Sequence, residues 1–298
     1  MKDVTLIAGP TASGKSGLAL RLARENGGVI VNADSMQVYG VLSLLTARPQ
    51  PDELAQAQHR LYGHRDPREA YSTGAWLREA EEIVQSEGRD RPLIFVGGTG
   101  LYFRALCEGL SPMPDIPSEI RERWRLALAR EGAEALHERL FTLDSETAGR
   151  LEPGDGQRIV RALEVLQASG RSIGYWQAQR GQAVIDASSV RKIVLEPPRG
   201  ALRERIFERF TSMVREGAIE EVEALLALNI PSDMPAMKAI GVREIAAYLA
   251  GRSTLEEAVE RSAIATSQYA KRQSTWFRRQ LPPEWRVYRS FGSDVYPE

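Results

Sequence analysis

The sequence predicts an α/β fold, a parallel sheet core interrupted by a helical insertion, and three observations carry that expectation. A short apolar run, "VTLIA" (4–8), leads through the glycine-rich "GPTASGKS" (9–16) into the amphipathic "SGLALRLARE" (16–25). That order is strand, tight loop, helix. Further apolar runs of strand length alternate with helical patterns, as crossover connections in a parallel sheet require. Between about 113 and 187 the alternation stops, and helical patterns follow one another without a clear strand.

Taken in order, the first unit spaces Gly9, Gly14, Lys15 and Ser16 as G-x-x-x-x-G-K-S, with Pro10, Thr11, Ala12 and Ser13 between. Glycine lets the backbone curl tightly and bring N–H groups up to anionic oxygens. The helix that follows turns its positive end towards the anion, Lys15 adds a mobile cation, and the Ser16 hydroxyl is a ligand for Mg²⁺. The core is therefore expected to be P-loop NTPase-like. The next strands are "GVIVNA" (28–33), "PLIFVGG" (92–98) and "RKIVLE" (191–196), with a helix over 73–88 capped by Ser72 or Thr73. Three helices are expected at "PSEIRERWRLALAREG", "AEALHERLFTLD" and "DGQRIVRALEVLQASG", entered through the proline-rich "LSPMPDIPSE" (110–119). The chain ends in helices over 199–217, 218–229, 241–250 and 254–280. The expected division is 1–112 plus 188–298 for the core and 113–187 for the insertion.

Bulk properties narrow the function classes. Hydrophobic residues make up 43% and charged residues 27%, an ordinary globular balance. No apolar run approaches a membrane span, and the N-terminus goes straight into the first strand, so neither membrane anchor nor signal peptide is expected and the cytoplasm is the expected compartment. The single Cys107 excludes an intramolecular disulfide and a cysteine-based zinc site, and reads as a small buried hydrophobe. His59, His64 and His137 form no ligand-like pattern. The net charge of −1 argues against a general nucleic-acid binder. The segments "RERWRLALAR" (121–130) and "KRQSTWFRRQ" (271–280) are nevertheless locally basic. Such faces are ordinarily just solvated, yet phosphate contacts depend on local placement, not on total charge. Without an obvious exposed apolar helix, a monomer is expected.

The chemistry concentrates at one edge of the sheet. A motor or switch ATPase would end a strand in an acidic residue, where "LIFVGG" ends in glycines. A small-molecule kinase, some of which lack that residue, stays open. The second strand delivers Asp34 to the carboxyl edge, where open α/β sheets bind ligands. An Asp there is either a cap or a working base. The third strand delivers Thr99 on a glycine-rich turn at the same edge.

The motifs "GPTASGKS", "NADSMQVY", "VGGTGLYFRAL", "DGQRIVRALEV" and "AKRQSTWFR", in that order, resemble the tRNA dimethylallyltransferase (tRNA isopentenyltransferase) family over nearly the whole chain. "HRLYGHRDPREAYS" (59–72) and "AIGVRE" (239–244) fit further family stretches. The resemblance implies that the loop holds the diphosphate of dimethylallyl diphosphate with Mg²⁺. The prenyl group would pass to N6 of the adenosine just 3′ of a tRNA anticodon. Asp34 is then the expected general base, and Thr99 a contact near the reacting centre, bonded to Asp34 or to the bridging oxygen. Matching positions extend the tRNA contacts to Asp34, Ser35, Met36, Gln37 and Thr99. They add Arg121 and, on an insertion helix, Gln157, Arg158, Ile159, Val160 and Arg161, with Lys238 to Arg243 as a weaker segment. Arg209 is the better candidate than Arg205 for a diphosphate contact, a structural ion pair being the alternative. Trp276 and Phe277 are expected to pack inward.

The sequence departs from the family where a Gly-Leu-Asp-Ile-Gly-Thr-Ala-Lys-Pro run is usual. Here it reads "GVLSLLTARP" (40–49), with Arg48 for lysine, and "GVRE" stands for "GYRE". These changes leave the conformation of 40–48 open. The chain carries no cysteine–histidine zinc module, which resembles the compact bacterial type. The rival class is a P-loop kinase in which Arg121, Arg123 and Arg125 form a nucleotide lid. A non-enzymatic RNA-binding protein is the remaining alternative.

Overall fold

The computed structural model describes residues 3–179 and 181–296. The chain begins β1 (Val4–Ala8), α1 (Lys15–Asn26), β2 (Val29–Asn32), α2 (Pro51–Leu54), β3 (Gln58–Arg60), α3 (Thr73–Ser86), β4 (Leu93–Gly97) and α4 (Gly100–Glu108). Five helices follow: α5 (Ser118–Glu131), α6 (Ala133–Leu143), α7 (Ser145–Ala148), α8 (Gly156–Ser169) and α9 (Ile173–Gln177). The chain then returns through β5 (Arg191–Leu195), α10 (Arg199–Glu216), α11 (Ala218–Ala227), α12 (Val242–Leu249), α13 (Leu255–Gln280) and β6 (Arg286–Tyr288). Two compact units result, Met1–Cys107 with Val184–Glu298, and Glu108–Ala183.

The strands of the first unit form one parallel sheet in the order β3-β2-β4-β1-β5-β6. Its central strands are buried and mostly apolar because both faces are covered, as parallel sheets demand. On one face Leu6, Val31 and Phe95 meet Trp76, Phe103 and Phe277; on the other Ile7, Ile30 and Ile94 meet Leu18 and Leu22 of α1. Phe277 is buried and Trp276 packs partly buried against the first of these clusters, both inward as expected. Cys107 is partly buried against the same cluster. The Ser72 hydroxyl accepts from Ala75 N at 3.1 Å and caps α3.

Register sets the site. Ala8 lies level with Gly97 on one side and Val194 on the other, so the loops after β1 and β4 leave the sheet together. β1 is flanked by β4 and β5, which follow it on opposite sides, and a crevice opens where successive crossovers diverge.

Several elements were not foreseen in the sequence, the short helices α2, α7 and α9 among them. β3 (Gln58–Arg60) and β6 (Arg286–Tyr288) are three-residue edge strands with no buried residue, too short to show an apolar alternation. The stretch read as a glycine-rich turn after Gly97 continues into α4, whose Tyr102, Phe103 and Leu106 are buried.

The second unit has its own core, in which Trp124, Leu136, Leu140, Ile159 and Leu163 meet. Among the described residues, no helix is long and apolar enough to cross a membrane.

The segment 40–48, divergent in sequence, is pinned rather than loose. The Glu221 carboxylate on α11 accepts the backbone N–H groups of Ser43, Leu44 and Leu45 at 2.9, 2.7 and 3.0 Å. Leu42 and Leu45 are buried against Phe210 and Met213 of α10. The Arg48 guanidinium donates to Tyr39 O at 3.1 Å and lies where a side chain on Gly63 would collide with it. Glu221→Ala would strip one acceptor from three donors. We expect a loss of about 2–3 kcal/mol in denaturant unfolding, and an unchanged midpoint would refute this role.

Candidate active site

The phosphate loop turns between β1 and α1 with two left-handed residues, Gly14 at φ 83° and Ala12 at φ 65°. A non-glycine residue held there is strained, a feature concentrated at ligand sites. Backbone bonds hold the curl: Ser13 N donates to Pro10 O at 3.2 Å and Gly292 N to Ser13 O at 3.0 Å. Gly292 approaches so closely that a side chain on it would collide with the Gly14 carbonyl. The C-terminal segment is thus part of the loop's support, which no local sequence signal announces.

Cations gather on this loop. Lys15 Nζ donates to Pro10 O at 3.3 Å. Lys15 is partly exposed as a residue, but its ammonium is desolvated, and burial lowers its pKa to about 8; Asp34 pulls it up and Arg209 pushes it further down. Arg209 on α10 donates to Thr11 Oγ1 at 2.6 Å, and burial followed by Arg205 lowers its pKa to about 10. Arg205, one turn earlier, stacks on the Phe291 ring at 4.9 Å, with a guanidinium nitrogen beside Gly14. Both arginines therefore border the loop. Arg209 makes a side-chain hydrogen bond to it, and among the described residues neither forms a salt bridge with a carboxylate. Among the described residues the buried Ser13 hydroxyl has no hydrogen-bond partner, and Ser16 is exposed at the first turn of α1.

Asp34 follows β2 in a turn built by Asn32, a fully buried polar residue. Asn32 Oδ1 accepts from Asp34 N at 2.8 Å, and its Nδ2 donates to the carbonyls of Asp34 and Leu61 at 2.9 and 3.0 Å. Asp34 Oδ1 in turn accepts from Met36 N at 3.0 Å. Asp34 is thus both a local cap and a half-buried carboxylate, whose Oδ2 has no hydrogen-bond partner among the described residues.

Thr99 does not bond Asp34. Its N–H donates to Ala33 O at 3.1 Å, and its Oγ1 accepts from Ser35 N at 3.0 Å and donates to Ser35 Oγ at 3.3 Å. Thr99 therefore holds the Asp34 turn through its neighbour. The glycines around it exist for close approach: a side chain on Gly97 would collide with the Ala33 carbonyl, and one on Gly100 with the Trp276 ring. That is why this strand ends in glycine where another P-loop protein places an acid.

A cleft runs beside these groups. Its polar lining includes Thr11, Asp34, Arg209 and Tyr269, and its apolar lining includes Met36, Leu45, Phe210, Met213 and Ile240. A larger cavity of about 290 Å³ lies elsewhere, between the end of β5 and α13 around Phe277, Leu281 and Trp285. It includes neither the phosphate loop nor Asp34.

The remaining expected contacts divide. Arg121, Gln157, Arg158, Lys238 and Arg243 are exposed, and Arg161 partly so. Arg158 pairs with Asp155 at 3.1 Å and Arg161 with Glu164 at 3.4 Å. Ile159 and Val160 differ from these: both side chains are buried in the core of their own unit, on the apolar face of an amphipathic α8. Gln37 is largely spent inside the protein, its amide donating to the carbonyls of Thr46 and Ala47 at 2.8 Å each. Asn32, Gly292 and Gln273 are functional neighbours that sequence reasoning passed over. Asn32 alone left a signal, a polar residue closing an otherwise apolar strand.

A loop crowded with cations, facing a carboxylate at the diverging edge of a parallel sheet, defines a P-loop-fold enzyme for an anionic substrate. Comparison with known proteins narrows the class. Residues 37–280 match the family described as IPP transferase, and residues 2–71 that described as isopentenyl transferase. The chain belongs to this family. It is 63% identical to the tRNA dimethylallyltransferase of Chelativorans sp. (strain BNC1), covering 96% of this chain and 98% of that one. It is 58% identical to that of Mesorhizobium japonicum, covering 99% and 92%. Among solved structures, a eukaryotic dimethylallyltransferase acting on tRNA superposes with a TM-score of 0.79 at 25% identity, covering 99% of this chain and 75% of that one. The tRNA isopentenylpyrophosphate transferase of Bacillus halodurans gives 0.67 at 30% identity, covering 97% and 90%.

Proposed function

We propose that this enzyme transfers the dimethylallyl group of dimethylallyl diphosphate to N6 of the adenosine 3′-adjacent to the anticodon of tRNA, releasing diphosphate. The observation that carries the reading is the gathering of Lys15, Arg205 and Arg209 on the phosphate loop, with Asp34 across a cleft part apolar and part polar. Diphosphate suits the cations, and a five-carbon chain suits the Leu45, Phe210 and Met213 side of the cleft.

In the reaction the bond from N6 to C1 of the prenyl group forms as the bond from C1 to the bridging oxygen breaks. The electron pair leaves with the diphosphate. An adenine amine is a weak nucleophile because its lone pair is delocalised into the ring, so removal of its proton matters. Asp34 takes that proton. Lys15, Arg209 and the loop amides stabilise the growing charge on the departing oxygens. Thr99 fixes the Asp34 turn through Ser35.

Among the described residues, no group of three or more His, Cys, Asp or Glu is arranged to hold a metal. The exposed Ser16 would offer its hydroxyl oxygen to an Mg²⁺ that arrived with the diphosphate. Bound there, Mg²⁺ supplies charge neutralisation to the leaving group. We place the enzyme in the cytoplasm with its tRNA.

Arg121, Arg158 and Arg161 are the proposed anticodon stem-loop contacts, and a loop adenosine flips out more cheaply than a duplex one. Replacing all three by alanine should weaken tRNA binding and reduce its salt slope by about one per lost phosphate contact. Unchanged affinity across a salt series would return them to ordinary solvated arginines. The reaction itself is tested by incubating the enzyme with dimethylallyl diphosphate, Mg²⁺ and unmodified tRNA, then weighing the digested nucleosides. Adenosine gaining one C5H8 unit is the expected result. ATP consumption without prenylation would replace this reading with a kinase.

A further inference from the structure

One buried amide joins the two loops of the site. Gln273 lies on α13, 5% exposed. Its Oε1 accepts the Thr11 N–H of the phosphate loop at 2.9 Å, and its Nε2 donates to Gly98 O at 3.0 Å. Gly98 precedes Thr99, whose hydroxyl secures Ser35 and with it the Asp34 turn. The place is cleared for this amide, since a side chain on Gly98 would collide with Gln273 Nε2. The orientation is unique as well. A flipped amide would set its NH₂ against an N–H and its oxygen against a carbonyl. The bond has a cost, because the Thr11 N–H is spent on Gln273 and is not among the loop amides that meet the diphosphate.

We propose that Gln273 is a positioning residue that keeps the phosphate loop and the Thr99–Asp34 loop in one register, so that leaving group and base stay aligned on opposite sides of the reacting carbon. This rests on the prenyl-transfer reading above. Glutamine suits the task because one rigid plane carries both an acceptor and a donor. Misplacing reacting groups by about 1 Å can cost on the order of 10²-fold in rate.

The test uses two variants of the full chain. Gln273→Met fills the space without either bond. Gln273→Glu keeps the acceptor for Thr11 but, when ionised, sets a carboxylate oxygen against the Gly98 carbonyl. The titratable groups around it are Asp34 on the β2 loop, Lys15 on the phosphate loop, Arg209 on α10 and Tyr269 on α13 itself. Burial beside a carbonyl and Asp34 favours a proton on this carboxyl, against the pull of Lys15 and Arg209, and the protonated form regains the donor.

Both variants should lower kcat about 10–10²-fold at pH 8 with the KM for tRNA unchanged. The ratio of Gln273→Glu to wild-type kcat should climb as pH falls to 5.5, while that of Gln273→Met stays flat. Folded variants with wild-type kcat would overturn the proposal, as would a flat ratio for both. Should the variants fail to fold, amide exchange in the wild type decides. The Thr11 N–H is protected if Gln273 holds it, and exchange at the rate of an open loop removes the link. That measurement needs no substrate, so it stands apart from any failure of the prenyl-transfer reading, which would show as a wild type without product.

Discussion

Asp34→Asn should lower kcat by about 10²–10⁴ while leaving tRNA affinity close to that of the wild type, the usual range for a lost general base. Asparagine is the sharper variant because its side-chain oxygen still accepts from Met36 N, as Asp34 Oδ1 does at 3.0 Å. The turn, its Asn32 bonds and the Thr99 link to Ser35 are thereby kept, and what disappears is the charge and the ability to take a proton. Asp34 also supports the charge on Lys15, so the variant should lose donor binding at a lower pH than the wild type does. The check is single-turnover transfer beside a filter-binding titration with tRNA. Affinity collapsing together with turnover would make Asp34 a recognition residue instead of a base.

Lys15→Ala should cost on the order of 10²–10³ in kcat, comparable to removing one preorganised donor from a developing anion. Its pH signature separates it from Asp34. Burial lowers the Lys15 pKa to about 8 in the free enzyme, so the ammonium is mostly charged at pH 7 and neutral above 8. The sign follows: kcat/KM for the prenyl donor falls as pH rises through about 8. Bound diphosphate favours the charged form, so the corresponding limb in kcat lies at higher pH. Lys15→Ala should abolish the alkaline limb in kcat/KM along with most of the activity. An alkaline limb that survives in this variant would assign it to another group.

Much of this site was legible in the chain because its chemistry is local. The phosphate loop is eight consecutive residues, and Asp34 and Thr99 each sit one or two positions beyond an apolar strand. The arginines were harder. Arg205 and Arg209 share a helix face, and only packing of α10 against the loop gives Arg209 its bond to Thr11. The burial of Ile159 and Val160 was not legible because a motif names consecutive residues while a helix sends them to different faces. Arg158 and Gln157 are outside, the two apolar residues inside.

The sequence by itself determined the order of the central strands and the longer helices, the parallel sheet and the place of the phosphate loop between β1 and α1. These follow from hydrophobic period, glycine spacing and caps, which act over a few residues. Tertiary structure alone decided what joins the loops. Gln273 reaches Thr11 across 262 positions and Gly98 across 175, Glu221 organises Ser43 to Leu45 from a distant helix, and Gly292 closes on Gly14 from the other end of the chain. A buried hydrogen bond depends on where two groups meet in space, and spacing along the chain carries no record of that meeting.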